Sequence, residues 1–140
     1  MAGVQDSALT IAVSNAGGLG SLPSAMLRPD ALRAELKSIK SQTSKPFNLN
    51  FFCHTAPEPD LECEAKWRKI LQPYFKEYGL KKSDIPTGSG RIPFNQESAD
   101  LLAEYNPPVI SFHFGLPADS LLAQIKNLGA YVLASATNLE

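Results

Sequence analysis

The sequence is poor in cysteine, in clustered positive charge and in long apolar runs, and each shortage argues against a class of protein. Its two cysteines, Cys53 and Cys63, are too few for a disulfide framework or a zinc site, so free thiols in a reducing compartment are expected. A net charge of -1 without a basic stripe argues against nucleic acid as a partner. Neither a membrane span of roughly 18 apolar residues nor a signal peptide is evident. We therefore expect a cytoplasmic protein that binds no membrane and no metal.

Strands and helices alternate along the 140 residues. The predicted strands cover about 18–22, 47–52, 109–114 and 131–135, and the predicted helices cover about 7–15, 30–40, 60–78, 96–105 and 119–128. Such alternation is typical of βαβ units and a parallel sheet. The expected fold is therefore α/β, a partial (β/α)8 TIM barrel of about four parallel strands with intervening helices. It forms one domain over 1–140, with a helical insertion at about 57–106.

Several local details follow from the same pattern. Asp30 and Asp119 are the expected N-caps of the second and the last helix. Pro73 predicts a kink or a break in the helix over 60–78, and the polar, Gly- and Pro-rich composition of 81–93 predicts a loop. The apolar surface of the first helix is expected from Ala8, Leu9, Ile11, Ala12 and Val13.

His113 is the first candidate for chemistry. It lies near the carboxyl end of a predicted strand, between Phe112 and Phe114. The carboxyl ends of barrel strands carry active sites, and an imidazole suits proton abstraction near neutral pH. The alternative is a core histidine hydrogen-bonded to a neighbour.

Asn48 and Asn50 form a second candidate, because residues two apart on a strand share a face. Asparagine is disfavoured in strands and needs polar partners there, and the edge of a flavin ring offers such partners. The alternative is that the two amides bond each other or nearby backbone. The glycines of 17–20 are explained by a turn, and the stripe of Trp67 and Tyr74 by ordinary packing.

Four segments together resemble the nitronate monooxygenase family, once called 2-nitropropane dioxygenases. They are Met1-Ala2-Gly3-Val4, Ser14-Asn15-Ala16-Gly17-Gly18-Leu19-Gly20, Pro46-Phe47-Asn48-Leu49-Asn50-Phe51 and Val109-Ile110-Ser111-Phe112-His113-Phe114-Gly115. The resemblance implies an oxidoreductase with an eight-stranded barrel that binds flavin mononucleotide (FMN) and oxidises alkyl nitronates with molecular oxygen.

The resemblance also implies roles for particular residues. Met1, Ala2 and Gly3 would lie beside the flavin ring and Asn50 at its pyrimidine end. His113 would lie over the ring as the catalytic residue, and Ser135 is assigned to the cofactor as well.

The family's pattern is not met in full, which keeps alternatives open. Its first strand is absent before Met1, and strands six to eight, with the loops that bind the flavin phosphate, are absent after Glu140. We therefore expect a truncated chain, inactive by itself, whose open sheet edges could self-associate. A related FMN-dependent enoyl or quinone reductase is less favoured, because Ala134 on the last strand could not serve as a base.

Overall fold

The computed structural model describes residues 3–55, 58, 60–84 and 91–138. In chain order the elements are α1 Ser7–Asn15, β1 Gly20–Pro23, a 3-10 turn Ser24–Met26, α2 Pro29–Gln42, β2 Phe47–Phe52, α3 Leu61–Glu77, a 3-10 turn Lys82–Asp84, α4 Gln96–Tyr105, β3 Val109–His113, α5 Asp119–Asn127 and β4 Tyr131–Ala134. None of the helices in these ranges is long and apolar enough to cross a bilayer.

The four strands within the described residues form one sheet in the order β1-β2-β3-β4. Every neighbouring pair is parallel, and a helix lies in the chain between each strand and the next. This is the strand order of part of a (β/α)8 barrel, so the predicted fold class is confirmed. The strand positions are confirmed too, although β1 begins at Gly20, two residues later than predicted.

The two faces of the sheet differ in what covers them. One face packs against the helices and carries fully buried apolar side chains such as Leu22, Leu49 and Phe112. Apolar residues of α2, α4 and α5 complete this core, and the predicted inward residues of α2 are confirmed. We call the other face the open face; its residues alternate with the buried ones and are Ser21, Pro23, Asn48, Asn50, Phe52, Val109, Ser111, His113, Tyr131, Leu133 and Ser135.

α1 turns a largely polar side toward the protein, which corrects the predicted apolar surface. Its buried residues are Ser7, Thr10, Ile11 and Ser14, whereas Leu9 and Val13 are exposed. The reason is a close approach between α1 and the start of β1. A Cβ added to Gly20 would lie 2.0 Å from the carbonyl oxygen of Thr10, so only small residues fit between the two backbones.

Both predicted acidic N-caps lie inside their helices. α2 begins at Pro29 with Arg28 as its N-cap, because proline's fixed φ suits the first helical position. α5 begins at Asp119 itself, with Ala118 as its N-cap. Asp30 and Asp119 therefore act in the first turn, where a carboxylate is favourable to the helix dipole.

The chain divides into two compact units, the described residues within Met1–Thr55 and Arg91–Glu140 and those within Ala56–Gly90. The sequence placed an insertion at about 57–106, whereas α4 belongs to the first unit. In the second unit α3 is capped by the Asp60 side chain and runs through Pro73, so the predicted break does not occur. α3 has no buried residue, and ordinary packing therefore does not explain Trp67 or Tyr74.

Candidate functional site

His113 ends β3 on the open face and is exposed. Its Nδ1 lies 2.9 Å from the hydroxyl oxygen of Ser135, which directly follows β4. The structure thus brings together the predicted catalytic residue and one of the predicted cofactor residues. The two side chains join the carboxyl ends of adjacent parallel strands, the edge at which barrel sites are built.

The orientation of His113 follows from the alternation of β3. Ile110 and Phe112 are fully buried on the helix side, so Ser111 and His113 point to the open face. Phe112 is fixed by an edge-on contact with the ring of Phe94, whose centroid is 5.1 Å away. The residue after His113, Phe114, adopts a left-handed φ of 66°, which ends the strand abruptly and is uncommon for a bulky residue.

A hydrogen-bonded polar cluster lies deeper on the open face. The side-chain amide of Asn48 donates to the hydroxyls of Ser21, at 2.8 Å, and Ser111, at 2.9 Å. Asn50 donates to the same Ser111 hydroxyl at 2.9 Å. The predicted pair of asparagines therefore shares a face. Its partners are serine hydroxyls on both neighbouring strands and the backbone carbonyl oxygen of Ser111, which lies 3.4 Å from Asn50 Nδ2, rather than the other amide.

One buried polar atom of this cluster has no partner among the described residues. Asn48 is only 6% exposed, and its Oδ1 is buried without a hydrogen bond to any described residue. An unpaired buried acceptor typically costs about 1–3 kcal/mol. Such an atom is suited to an N–H or O–H donor, and a buried water is the usual one.

Phe52 places an aromatic ring beside His113 and was not among the residues predicted for the site. The centroid of its ring lies 5.1 Å from that of Phe114 and 6.5 Å from that of His113. The guanidinium carbon of Arg91 lies 5.8 Å from the same centroid. Phe52 continues the two-residue spacing of Asn48 and Asn50 along β2. That spacing is the feature of the sequence that predicts it on the same face as the two asparagines.

Arg91 is held near the strand ends by its neighbours. The backbone N–H of Phe94 donates to the carbonyl oxygen of Phe52 at 2.8 Å, and this bond ties the segment after Arg91 to the last residue of β2. The Phe94 ring is buried and packs edge-on against Phe51 with centroids 5.0 Å apart. The chain is thus fixed three residues after Arg91, whose exposed guanidinium places a positive charge close to the Phe52 ring.

Cys53 follows β2 and does not offer a reactive thiolate. Burial raises the pKa of its thiol to about 11, so it is neutral near pH 7. Its backbone N–H donates to the carbonyl oxygen of His113 at 2.8 Å, which extends the pairing of β2 with β3. Among the described residues no group of three or more His, Cys, Asp or Glu side chains could hold a metal ion.

The other predicted cofactor residues lie at the amino terminus. Met1 and Ala2 lie outside the described residues. Gly3 is described, exposed and in a left-handed conformation with a φ of 79°. Two residues later the side-chain amide of Gln5 donates to the carbonyl oxygen of Ser21 at 2.6 Å, which ties this segment to β1.

A parallel sheet with helices on one face and polar side chains at the carboxyl ends of its strands defines a protein of the (β/α) barrel class. The family model described as nitronate monooxygenase matches residues 1–140. The chain belongs to the nitronate monooxygenase family.

Particular relatives agree with this assignment. The chain is 42% identical to a nitronate monooxygenase of Paraburkholderia phytofirmans, with 100% of this chain and 38% of the relative covered. It is 35% identical to a nitronate monooxygenase of Pseudomonas aeruginosa, with 100% of this chain and 40% of the relative covered. The crystal structure of a nitroalkane oxidase from Streptomyces ansochromogenes superposes with a TM-score of 0.79 at 30% identity, over 99% of this chain and 39% of that one. The chain thus spans about two fifths of the length of these relatives.

Proposed function

We propose that this chain contributes the ring-facing part of an FMN site in a barrel that oxidises alkyl nitronates with molecular oxygen. The observation that carries the proposal is the row of polar side chains on the open face of a chain that belongs to the nitronate monooxygenase family. In that row the His113 imidazole is bonded to Ser135, and Asn50 lies beside Ser111.

The open-face residues fit the polar edge of a flavin ring. The Oδ1 of Asn50 accepts no hydrogen bond from the described residues, and the hydroxyl of Ser111 can donate. A flavin's pyrimidine ring carries both N–H and C=O groups that such atoms can bind. Asn50 and Ser135 would hold the ring, as would Gly3 in this proposal, and bound FMN would supply the electron transfer between nitronate and oxygen.

His113 would act on the anionic nitro group of the substrate. If Nδ1 accepts the hydroxyl proton of Ser135, the proton of a neutral imidazole resides on Nε2. From there His113 donates a hydrogen bond to a nitronate oxygen and orients the substrate. In the opposite tautomer Nε2 is unprotonated and can take a proton from a carbon acid. A nitronate has already lost that proton, so its oxidation does not require this step.

The aromatic residues near His113 suit the rest of such a substrate. Phe52 and Phe114 offer apolar ring surface for an alkyl chain, and Arg91 lies within cation–π distance of the same Phe52 ring. A cation near the strand ends favours approach of an anion over that of a neutral nitroalkane.

Titration of the purified 140-residue chain with FMN tests the proposal. We expect a shift of the visible flavin spectrum on binding. Oxygen uptake that depends on added propyl-2-nitronate would extend the proposal to catalysis by this chain. Binding without oxygen uptake would support the cofactor site but reject catalysis by this chain alone. Failure to bind FMN would reject the proposal for this chain.

A further inference from the structure

We propose that Asn48 and Ser111 are positioning residues that hold the side-chain amide of Asn50 with its oxygen toward the ligand. The site then selects a ligand edge that presents an N–H donor to Asn50. This inference rests on the proposed function, because the ligand edge it addresses is the pyrimidine end of a flavin.

The orientation of the Asn50 amide is fixed by two acceptors of one residue. Its Nδ2 lies 2.9 Å from Ser111 Oγ and 3.4 Å from the backbone carbonyl oxygen of Ser111. A carbonyl oxygen can only accept, so the nitrogen of the amide must face it. The Oδ1 of Asn50 is then left without a partner among the described residues, on a half-buried side chain of the open face.

The Ser111 hydroxyl oxygen accepts two hydrogen bonds. It accepts from Asn48 and from Asn50, each at 2.9 Å. A hydroxyl has two acceptor sites and one donor proton, so both acceptor sites are used and the proton remains available for another group. Ser111 therefore presents a donor next to the acceptor of Asn50.

Asn48 completes the hydrogen-bond network by bonding Ser111 and Ser21. Its Nδ2 gives its two hydrogens to Ser21 and Ser111, which leaves Oδ1 as the unpaired buried atom. The reverse orientation of the amide would bury two unpaired N–H bonds in place of one oxygen, which is less favourable. Because Asn48 is 6% exposed and bonded to both neighbouring strands, it has little freedom to release Ser111.

The resulting pattern matches one edge of the flavin ring. The N3–H of the pyrimidine ring lies between two carbonyl groups. Along that edge the ligand therefore presents an acceptor, a donor and an acceptor of hydrogen bonds in turn. An outward Asn50 Oδ1 pairs with N3–H, and the free proton of Ser111 suits a flanking carbonyl. A ligand methylated at N3 lacks the donor and also collides with the amide oxygen.

Comparison of FMN with N3-methyl-FMN tests this inference by binding alone. Fluorescence titrations would give the Kd of each flavin for the full chain and for three variants, Ser111→Ala, Ser111→Thr and Asn48→Ala. We expect the unaltered chain to bind FMN about tenfold more tightly than N3-methyl-FMN, which is the effect of one well-placed hydrogen bond. Ser111→Ala and Asn48→Ala should lower this ratio, because Ser111→Ala leaves only the 3.4 Å contact with the Ser111 carbonyl oxygen to hold the amide and Asn48→Ala frees the Ser111 hydroxyl to turn. Ser111→Thr should preserve the ratio by keeping the hydroxyl.

A matched serine far from the sheet supplies the control. Ser41 is exposed on α2 and its hydroxyl donates to the Ser38 carbonyl oxygen of the same helix, so Ser41→Ala should leave the ratio unchanged. Circular dichroism would verify that each variant folds, and if Asn48→Ala does not fold, Ser111→Ala decides alone.

The outcomes separate this inference from the proposed function. Equal affinity of the unaltered chain for both flavins would overturn the positioning of Asn50 and leave FMN binding intact. A tenfold ratio that survives Ser111→Ala would overturn the role of Ser111. Absence of binding for either flavin would reject the proposed function, and this inference with it.

Discussion

The imidazole of His113 and the hydroxyl of Ser135 share a hydrogen bond, with 2.9 Å between Nδ1 and Oγ. The bond joins the ends of β3 and β4, strands that are also linked beyond their last pair by the N–H of Ser135 donating to the carbonyl oxygen of Phe112 at 3.3 Å. The direction of the side-chain bond decides which ring nitrogen carries the proton, and hence whether Nε2 donates or accepts on the open face.

Removal of the Ser135 hydroxyl should change the tautomer balance of His113. In Ser135→Ala we expect the nitrogen-15 NMR shifts of this imidazole to move toward a mixture of tautomers. If the flavin-loaded chain turns over, its rate should fall about tenfold, the effect of one hydrogen bond. Ser135→Thr keeps the hydroxyl and should resemble the unaltered chain. Unchanged ring shifts in Ser135→Ala would show that the bond does not set the tautomer.

Gly20→Ala should destabilise the fold strongly. The added Cβ would lie 2.0 Å from the Thr10 carbonyl oxygen and 2.6 Å from Ser14 Oγ, so α1 and β1 must separate. Overpacking of this kind costs about 1–3 kcal/mol or more in the free energy of unfolding. The control is Gly18→Ala, whose Cβ meets the Val13 side chain at 3.0 Å and should cost less. Equal urea midpoints for the two variants would contradict the steric explanation.

Ser14→Ala should also destabilise the fold, for a different reason. The hydroxyl of Ser14 accepts from the buried N–H of Gly20 at 3.2 Å and donates to the carbonyl oxygen of Pro46 at 2.9 Å. Its removal leaves the Gly20 N–H unpaired, which costs about 1–3 kcal/mol. Urea unfolding measures this loss, and Ser41→Ala should shift stability by less than about 0.5 kcal/mol. A midpoint for Ser14→Ala equal to that of the control would refute the bridging role.

The elements could be predicted from the sequence because their signals are local. Leu32, Leu36 and Ile39 have helical spacing, and the glycines and prolines of the chain mark most boundaries. The buried side of α1 could not be predicted in this way. Its apolar residues Leu9 and Val13 are exposed, since the close approach at Gly20 admits only small side chains such as Thr10 and Ser14.

The candidate site was predictable only in part, because it depends on register. The two-residue spacing of Asn48 and Asn50 shows that they share a face. Their partners Ser21 and Ser111 lie on other strands, at sequence separations of 27 and 61 to 63 residues. Nothing local to a strand fixes which residue of its neighbour lies opposite. The placement of His113 at a strand end was a local inference, whereas its pairing with Ser135 required the aligned ends of β3 and β4.

Alkylation should distinguish the two cysteines. With a pKa of about 11, Cys53 is about one part in a thousand thiolate at pH 8 and should react slowly with iodoacetamide. Cys63 is exposed and should be modified first, although its hydrogen bond to Asp60 also raises its pKa. Mass spectrometry of tryptic peptides would follow both sites, with Cys53→Ser as the control for assignment. Equal rates at pH 8 would contradict the burial of the Cys53 thiol.

The raised pKa of the Cys53 thiol predicts that the free energy of unfolding falls in alkali. The pKa of Cys53 is higher in the folded chain than the usual 9.0, so the folded state retains its proton longer than the unfolded state does. This contribution is complete below about pH 9 and is lost as the pH rises to about 11. Urea midpoints should therefore fall less over this range in Cys53→Ala than in the unaltered chain. An identical alkaline decline in both would assign the effect to other groups.

The chain has two histidines, and substitution of each in turn isolates the role of His113. His113→Leu removes the group proposed to bind the nitronate oxygen. If the flavin-loaded chain turns over, we expect its nitronate-dependent oxygen uptake to fall about 100-fold, as when one preorganised donor is lost. The Kd for FMN should change by less than about twofold, because the imidazole acts on the substrate in this proposal. His54→Gln, two residues after β2, is the matched control and should retain both properties. Full activity in His113→Leu would remove the imidazole from the mechanism, whereas a parallel loss of FMN binding would make it a cofactor residue instead.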